Sequence, residues 1–242
     1  MKIIHSHSIS PAFNLAAEEY LFSELQDDIL FLYVNEPSVI IGSNQVLRNE
    51  VNIDFCNAHN IQILRRISGG GAVYHDLGNI NYSFINNKHN NQSSLRADFL
   101  LPVVEVLKAM NIPVEIGKRK DLWLPGGFKV SGTASHVSRN RELHHGTLLY
   151  DADVEKLQNA LTVKAKDETL KGTVSVSAKV KNMRAFLIEL NGVSTSNNEF
   201  FDLLIYSFGK YYNSAIFGLN NIEISEIESI QKYNQNEWTF RK

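Results

Sequence analysis

The most informative segment of this 242-residue chain is glycine-rich: Arg65-Arg66-Ile67-Ser68-Gly69-Gly70-Gly71-Ala72. It joins a strand predicted at Ile61–Arg66 to a second one at Ala72–His75. Three consecutive glycines let backbone N–H groups approach a carboxylate or phosphate closely, and the two arginines add fixed charge. The same residues are also compatible with a hairpin turn that carries two surface arginines. The segment matches neither the Walker pattern nor the dinucleotide-binding pattern.

The rest of the chain mixes helical and strand periodicities. Apolar residues at helical spacing predict helices at Phe13–Leu25, Asp54–Asn60, Ala97–Asn111, Val154–Leu161, Phe200–Tyr212 and Ser225–Tyr233. Further strands are predicted at Ile29–Val34, Ser38–Ile41, Asn81–Ile85, Asp121–Leu124, Phe128–Ala134 and His145–Tyr150. Because strands and helices are interspersed without strict βαβ alternation, we expect an α+β fold, with residues 1–242 in a single domain.

Composition and charge exclude several classes of protein. The 24 basic and 26 acidic residues leave a net charge of −2, so a broadly basic, nucleic-acid-binding surface is not expected. The longest apolar run, Ile29–Val34, is too short to cross a bilayer, and the polar N-terminus does not fit a secretory signal. The single cysteine, Cys56, excludes a disulfide framework and a cysteine-based zinc site. We therefore expect a soluble, cytoplasmic protein that binds neither nucleic acid nor membrane.

A second candidate site lies in Phe128-Lys129-Val130-Ser131-Gly132. In a strand, Lys129 and Ser131 share one face and Phe128 and Val130 share the other. Burying a lysine on a central strand is costly without an anionic partner, which a bound phosphate or carboxylate would supply. Lys129 could then stabilise the charge that develops during adenylation. A solvated lysine on an edge strand is the alternative.

Asp121 ends the basic stretch 117–120 and could hold Mg²⁺ together with substrate phosphates. A role in a turn is the alternative for this carboxylate. His75 and Asp76 are adjacent, so on a strand they point to opposite faces, and a turn with structural hydrogen bonds is favoured over a catalytic pair.

His144 and His145 also diverge on a strand, and the sequence has no third zinc ligand at a standard spacing. Cys56 has no evident base nearby, so a core thiol is favoured over a nucleophile.

In their order along the chain, these segments resemble the lipoate–protein ligase A family. The resemblance is carried by Phe13–Glu19, Val39–Gln45, Arg65–Asn79, Lys129–Ala134 and His144–Leu149. A weaker similarity extends over Ser175–Met183 and the ending near Trp238. No single segment is specific, but the ordered set is.

The resemblance implies the activity of a ligase that converts lipoate and Mg-ATP to lipoyl-adenylate and pyrophosphate. A lysine of an acceptor domain then takes the lipoyl group and AMP leaves. Lys129 matches the family's essential lysine, which bridges the carboxylate and the α-phosphate, and Asp121 matches its metal-binding position. The residues expected to bind substrate are Arg66, Ser68, Gly69, Gly70, Gly71, Ala72, Val73, His75, Asn79, Ser131, Gly132, His145, Gly146 and Thr147.

The implied fold is a mixed β-sheet flanked by helices, shared with the catalytic domain of biotin ligases. Segments around Val39–Ile41 and Val73 would suit the aliphatic tail and dithiolane ring of lipoate. The implied acceptors are the lipoyl domains of 2-oxoacid dehydrogenase complexes or the glycine-cleavage H protein.

The chain departs from the family pattern at three positions and in length. The family's Gly-Arg-Asn-Asp run corresponds to 118–121, so Lys120 replaces an Asn, while His136 and Ser177 stand where the family has Arg. The C-terminal accessory domain of many relatives has no counterpart here, so a separate partner chain could supply it.

Three alternatives compete with this interpretation. An ATP-independent octanoyl or lipoyl transferase would need a cysteine beyond the lysine region, whereas Cys56 precedes the glycines. A biotin ligase fits the paired Ser-Gly-Gly-Gly and Lys-Val-Ser-Gly segments less well. A non-catalytic module that binds lipoate or a lipoyl domain would explain Lys120, His136 and Ser177.

Overall fold

The structure is a computed structural model that describes residues 1–88, 97–163, 166–192 and 195–241. Its strands are β1 (Lys2–His5), β2 (Ile29–Val34), β3 (Ser38–Ile41), β4 (Gln62–Arg65), β5 (Val73–His75), β6 (Asn79–Asn87), β7 (Glu115–Ile116), β8 (Leu122–Leu124), β9 (Phe128–Ser131), β10 (Thr133–Val137), β11 (Arg141–Leu149) and β12 (Ile216–Phe217). Its α-helices are α1 (Pro11–Ser23), α2 (Ile53–Ala58), α3 (Leu101–Ala109), α4 (Val154–Leu161), α5 (Met183–Asn191), α6 (Asn197–Tyr212), α7 (Asn221–Ser229) and α8 (Asn236–Thr239).

Within these residues the strands form three sheets. The largest has the order β10-β11-β6-β2-β1-β12, with antiparallel pairing from β10 to β2 and parallel pairing from β2 to β12. In the second, β3 pairs parallel with β4 and antiparallel with β5. The third is the antiparallel β7-β8-β9 sheet. The expected α+β fold, a mixed sheet flanked by helices, is confirmed.

The continuous apolar run of β2 reflects burial on both faces of the six-stranded sheet. Leu30 and Leu32 pack into the cluster that contains residues of α3 and α6. Phe31 and Tyr33 point the other way, into the cluster formed with α1. Because successive strand residues face opposite sides, a strand covered on both sides needs apolar residues at every position.

The helix boundaries depend on capping groups. Helix α1 begins at Pro11, two residues before the predicted start, because Ser10 accepts a hydrogen bond from the Phe13 N–H and proline suits the first helical turn. The predicted start at Ser225 is wrong. Helix α7 begins at Asn221, where Asn220 and Glu223 exchange reciprocal side-chain-to-backbone hydrogen bonds.

The single strand predicted at Phe128–Ala134 is also wrong, because the chain changes sheet at Gly132. Strand β9 pairs with β8, whereas β10 pairs with β11. At the switch, the Gly132 N–H donates to Thr147 Oγ1 and the Thr147 N–H donates to the Gly132 carbonyl. Strands β1, β7 and β12 and helices α5 and α8 were not predicted. No helix within the described ranges is long and apolar enough to cross a membrane.

Candidate active site

A cavity of about 340 Å³ lies where the six-stranded sheet meets the glycine-rich segment. Its wall includes a cross-strand row of three residues, Tyr33, Asn81 and Thr147, on β2, β6 and β11. The other lining residues are Leu15, Ile40, Arg66, Gly70, Gly71, Ala72, Val73, His75, Arg119, Asp121, Lys129, Gly132, Thr133, Ala134, His145, Gly146, Thr173, Val174, Ser175 and Val176.

The glycine loop is held in shape by the guanidinium of Arg66. This side chain donates to Ser68 Oγ at 2.9 Å and to the carbonyls of Gly69 and Gly71 at 2.5 and 2.8 Å. Gly70 has φ +86°, a conformation that favours glycine. Arg66 also donates to the Ile40 carbonyl, so most of its N–H groups hold the loop itself.

Arg65 points away from the cavity, because adjacent residues near the end of a strand face opposite sides. It donates to the carbonyls of Gly42 and Gln45 and, at 3.0 Å, to that of Thr239 near the C-terminal end of the described chain. Arg65 is 0% exposed and Arg66 4% exposed, so the alternative of two surface arginines is wrong.

A buried hydrogen-bond network connects α1 to the glycine loop. The Glu18 carboxylate lies 2.9 Å from His145 Nδ1, and His145 Nε2 lies 2.7 Å from Ser68 Oγ. Ser83 Oγ also donates to Glu18. Burial raises the pKa of Glu18, but the combined effect of His145, Ser83 and Arg66 lowers it by more. The pKa of Glu18 therefore lies below its usual value. Glu18 is therefore a buried, hydrogen-bonded anion.

On the opposite side of the cavity, Lys129 Nζ lies 3.2 Å from Asp121 Oδ2. Trp123 Nε1 donates to Asp121 Oδ1 at 2.8 Å. Burial raises the pKa of Asp121, and the Trp123 hydrogen bond and Lys129 offset this, leaving the pKa lowered. Strand β9 is the outer strand of its three-stranded sheet, with residues 179–181 bridging to it, so Lys129 lies on an edge strand as in the alternative and pairs there with Asp121.

Asp121 is the one carboxylate among the described residues that line the cavity. Its Oδ2 has the Lys129 ion pair but no hydrogen bond of good geometry. Mg²⁺ often takes only one or two protein carboxylates and completes its coordination with phosphates and water. The site therefore fits Mg²⁺ held by Asp121 together with a substrate phosphate.

Ser175 was not identified from the sequence as a site residue. Its Oγ accepts hydrogen bonds from the Ala72 N–H at 2.9 Å and from Gln45 Nε2 at 3.0 Å, and its N–H donates to Glu50. Segment 173–176 thereby lies over the glycine loop. Only the weak family resemblance at Ser175–Met183 pointed to this region.

The cavity brings together most of the residues predicted to bind substrate. Four of them do not line it. Ser68 lies behind Arg66, and the Gly69 carbonyl accepts from Arg66. Asn79 donates to Asn81, and Ser131 lies 3.4 Å from the Tyr82 hydroxyl.

The positions that depart from the family pattern lie outside the cavity lining. The Lys120 backbone has φ +57°, and its carbonyl accepts from Thr133. The His136 ring packs edge-on against Phe22, and Ser177 is exposed. Cys56 is a buried core thiol, as predicted, and burial raises its pKa to about 11.

Comparisons with known proteins identify the family of this chain. A family model for the lipoyl protein ligase A/B catalytic domain matches residues 10–209. Lipoate–protein ligase 1 of Staphylococcus aureus is 38% identical over 226 residues, which cover 92% of this chain and 65% of the relative. Lipoate–protein ligase A of Psychrobacter cryohalolentis is 33% identical over an alignment of 255 positions, which covers 100% of this chain and 73% of the relative. The chain thus spans about two-thirds of the length of these curated relatives.

Two solved structures are similar over nearly the whole chain. A lipoate–protein ligase A bound with ATP has a TM-score of 0.81 at 25% identity and covers 99% of this chain and 98% of its own. A bi-partite lipoate–protein ligase from Thermoplasma acidophilum, studied with its lipoyl domain, has a TM-score of 0.80 at 27% identity and covers 99% and 95%.

Proposed function

Because the chain belongs to the lipoyl protein ligase A/B catalytic-domain family, we propose that it is an ATP-dependent lipoate–protein ligase. The substrates are lipoate and Mg-ATP, and the first product is lipoyl-adenylate with release of pyrophosphate. In the second step, a lysine amine of an acceptor domain attacks the mixed anhydride, forms the amide and releases AMP.

The observation that carries this proposal is the position of the Lys129 ammonium in the cavity, 3.2 Å from Asp121. When a carboxylate oxygen attacks the α-phosphorus, negative charge accumulates on the phosphoryl oxygens. A fixed cation beside that group stabilises the charge as it develops. Lys129 is suited to this role because Asp121 is the one carboxylate among the described residues that pairs with it, and its side chain lines the cavity and is 20% exposed.

The remaining lining residues support the assignment of substrates. Leu15, Ile40, Val73 and Ala134 provide an apolar surface for an aliphatic acyl chain. The backbone of Gly70 and Gly71 lines the cavity, where it would contact a carboxylate or phosphate. When bound, Mg²⁺ would neutralise phosphate charge, and Asp121 is the residue that would hold it.

The acceptor and any accessory protein are also part of the proposal. The similarity to a bi-partite ligase studied with its lipoyl domain supports a lipoyl domain as acceptor. The lipoyl domain of a 2-oxoacid dehydrogenase complex and the glycine-cleavage H protein both fit, and a separate chain could supply an accessory domain. A cytoplasmic location stays a prediction from the sequence.

Cys56 does not support the transferase alternative. Its thiol is packed among residues of α2 and α4 and is not among the residues that line the cavity. Burial raises its pKa to about 11, which disfavours the thiolate that a thioester-forming enzyme needs. A transferase would therefore lack its nucleophile at this site.

The test is lipoate-dependent exchange of radiolabelled pyrophosphate into ATP by the purified chain, with the Cys56→Ala variant as control. We expect exchange that requires lipoate and persists in Cys56→Ala. Lipoate binding without exchange, in the presence and absence of a candidate accessory chain, would contradict the ligase and favour a binding module. Transfer between carrier domains without ATP that is lost in Cys56→Ala would favour the transferase.

A further inference from the structure

One ring nitrogen of His75 is buried and has no hydrogen-bond partner within the part of the chain that the structure describes. The residue lines the cavity, and its Nε2 has no hydrogen-bond partner among the described residues. Its other ring nitrogen, Nδ1, lies 3.0 Å from Asn35 Nδ2. An unmet buried hydrogen-bonding group is costly, so such a group on a residue that lines a binding cavity indicates contact with a ligand.

A series of side-chain hydrogen bonds determines which ring nitrogen of His75 carries the proton. Asn14 Nδ2 faces the carbonyls of Ser8 and Val34, which can only accept, so this atom must be the amide nitrogen. It therefore donates to Asn35 Oδ1 at 2.8 Å. The Asn35 amide nitrogen is then the atom that faces His75, and it donates to Nδ1.

The consequence is a neutral imidazole with its proton on Nε2. Because Nδ1 accepts from Asn35, the single proton of the neutral ring must be on the other nitrogen. Burial, together with the smaller effects of Arg66 and His145, lowers the pKa of His75 to about 3. His75 therefore carries an uncharged N–H donor in the wall of the cavity at physiological pH.

The topology places this donor away from the lysine. Val73 lies close to Gly132, beside the Lys129 side chain. His75 follows two residues later on β5, roughly 7 Å further along the strand. Asn35, the partner of His75, lies just after the end of β2. In the six-stranded sheet, two strands, β11 and β6, separate β2 from β10, the strand that follows Gly132. An acid whose carboxylate lies at Lys129 would extend its tail toward His75.

We propose that His75 is a specificity-determining residue whose Nε2–H donates to an acceptor in the ligand's tail, a dithiolane sulfur of lipoate. This inference rests on the proposed function. Sulfur is a weak acceptor, but it satisfies a donor that a saturated fatty acid leaves unpaired. The chain then favours lipoate over octanoate through one hydrogen bond at the His75 end of the cavity.

The affinity test uses isothermal titration of lipoate and octanoate with the wild-type chain and two variants. His75→Leu removes the donor, and His75→Gln places an amide N–H at a similar reach. We expect His75→Leu to weaken lipoate binding about three- to tenfold, the range of one neutral hydrogen bond, and octanoate binding less than twofold. His75→Gln should restore most of the preference.

Equal losses for the two acids in His75→Leu, or no preference for lipoate in the wild type, would overturn the inference. A wild-type chain that binds neither acid would instead contradict the proposed function. A second measurement, the ¹⁵N chemical shifts of the histidine rings in the folded protein, is expected to show the Nε2–H form for His75. The Nδ1–H form would overturn the inference without reference to activity.

Discussion

The two sides of the cavity carry charge in different ways. On one side, Arg66, Glu18 and His145 are buried, and the guanidinium and the carboxylate each make several hydrogen bonds with protein groups. On the other side, Lys129 and Arg119 have side chains that are 20% and 47% exposed, and both lie near the carboxylate of Asp121.

This difference separates shape from chemistry. Burying charge is costly unless hydrogen bonds replace hydration, so the Arg66 side holds one arrangement and maintains the glycine loop. The cations beside Asp121 are only partly paired with protein groups and can meet an incoming phosphate. We therefore expect substitutions on the first side to affect mainly stability, and substitutions on the second to affect mainly activity.

Lys129→Ala tests this comparison with the largest expected effect. Removing the cation that stabilises the developing phosphoryl charge should reduce lipoate-dependent pyrophosphate exchange at least 100-fold. The melting temperature should remain close to that of the wild type, because Lys129 makes one partly exposed ion pair. A variant that retains exchange within a few-fold of the wild type would show that Lys129 lacks the proposed role.

Glu18→Gln tests the buried side. The change removes the anion that pairs with His145 and accepts from Ser83, so the free energy of unfolding should fall by about 2 kcal/mol. Chemical denaturation measures this, with Glu24→Gln, an exposed residue just after the same helix, as the matched control. Equal stability of the two variants would mean that the buried network does not support the fold.

Asp121→Asn should raise the Mg²⁺ concentration for half-maximal exchange about tenfold or more, because the amide removes the only carboxylate among the described residues that line the cavity. A Mg²⁺ titration of exchange measures it, with the exposed Asp54→Asn as control. An unchanged requirement would exclude Asp121 as the metal ligand.

Acid should destabilise the protein through its buried histidines. The pKa values of His75 and His144 fall to about 3 and 4 from an ordinary 6.5, chiefly through burial. Between these values and 6.5 the unfolded chain binds more protons than the folded one, so stability decreases as the pH falls. From pH 6.5 to 5.5, His75 should account for about 1 kcal/mol of the loss. Denaturation of His75→Gln at both pH values should show a loss of stability that is smaller than that of the wild type by this amount. An identical loss in the two proteins would mean that protonation of His75 does not cause it.

Local patterns in the sequence were sufficient for several elements. The bounds of β2, β3 and α4 coincide with those predicted from periodicity. The break at Gly132 was missed because apolar alternation continues through it, and only pairing with two different partner strands divides the segment. The start of α7 was missed because Asn220 and Glu223 form a cap that competes with the one expected at Ser225.

For the site, the sequence alone determined that a glycine triplet adjoins two arginines and that Lys129, if buried on a strand, would need an anion nearby. Both follow from backbone freedom and the cost of burying charge, which act within a few residues. Only the tertiary structure decided which arginine faces the cavity, that Glu18 contacts His145 from 127 residues away, and that Asn35 orients the ring of His75. Those contacts depend on how sheets and helices pack, and a hydrogen bond between distant residues leaves no periodic trace in the chain.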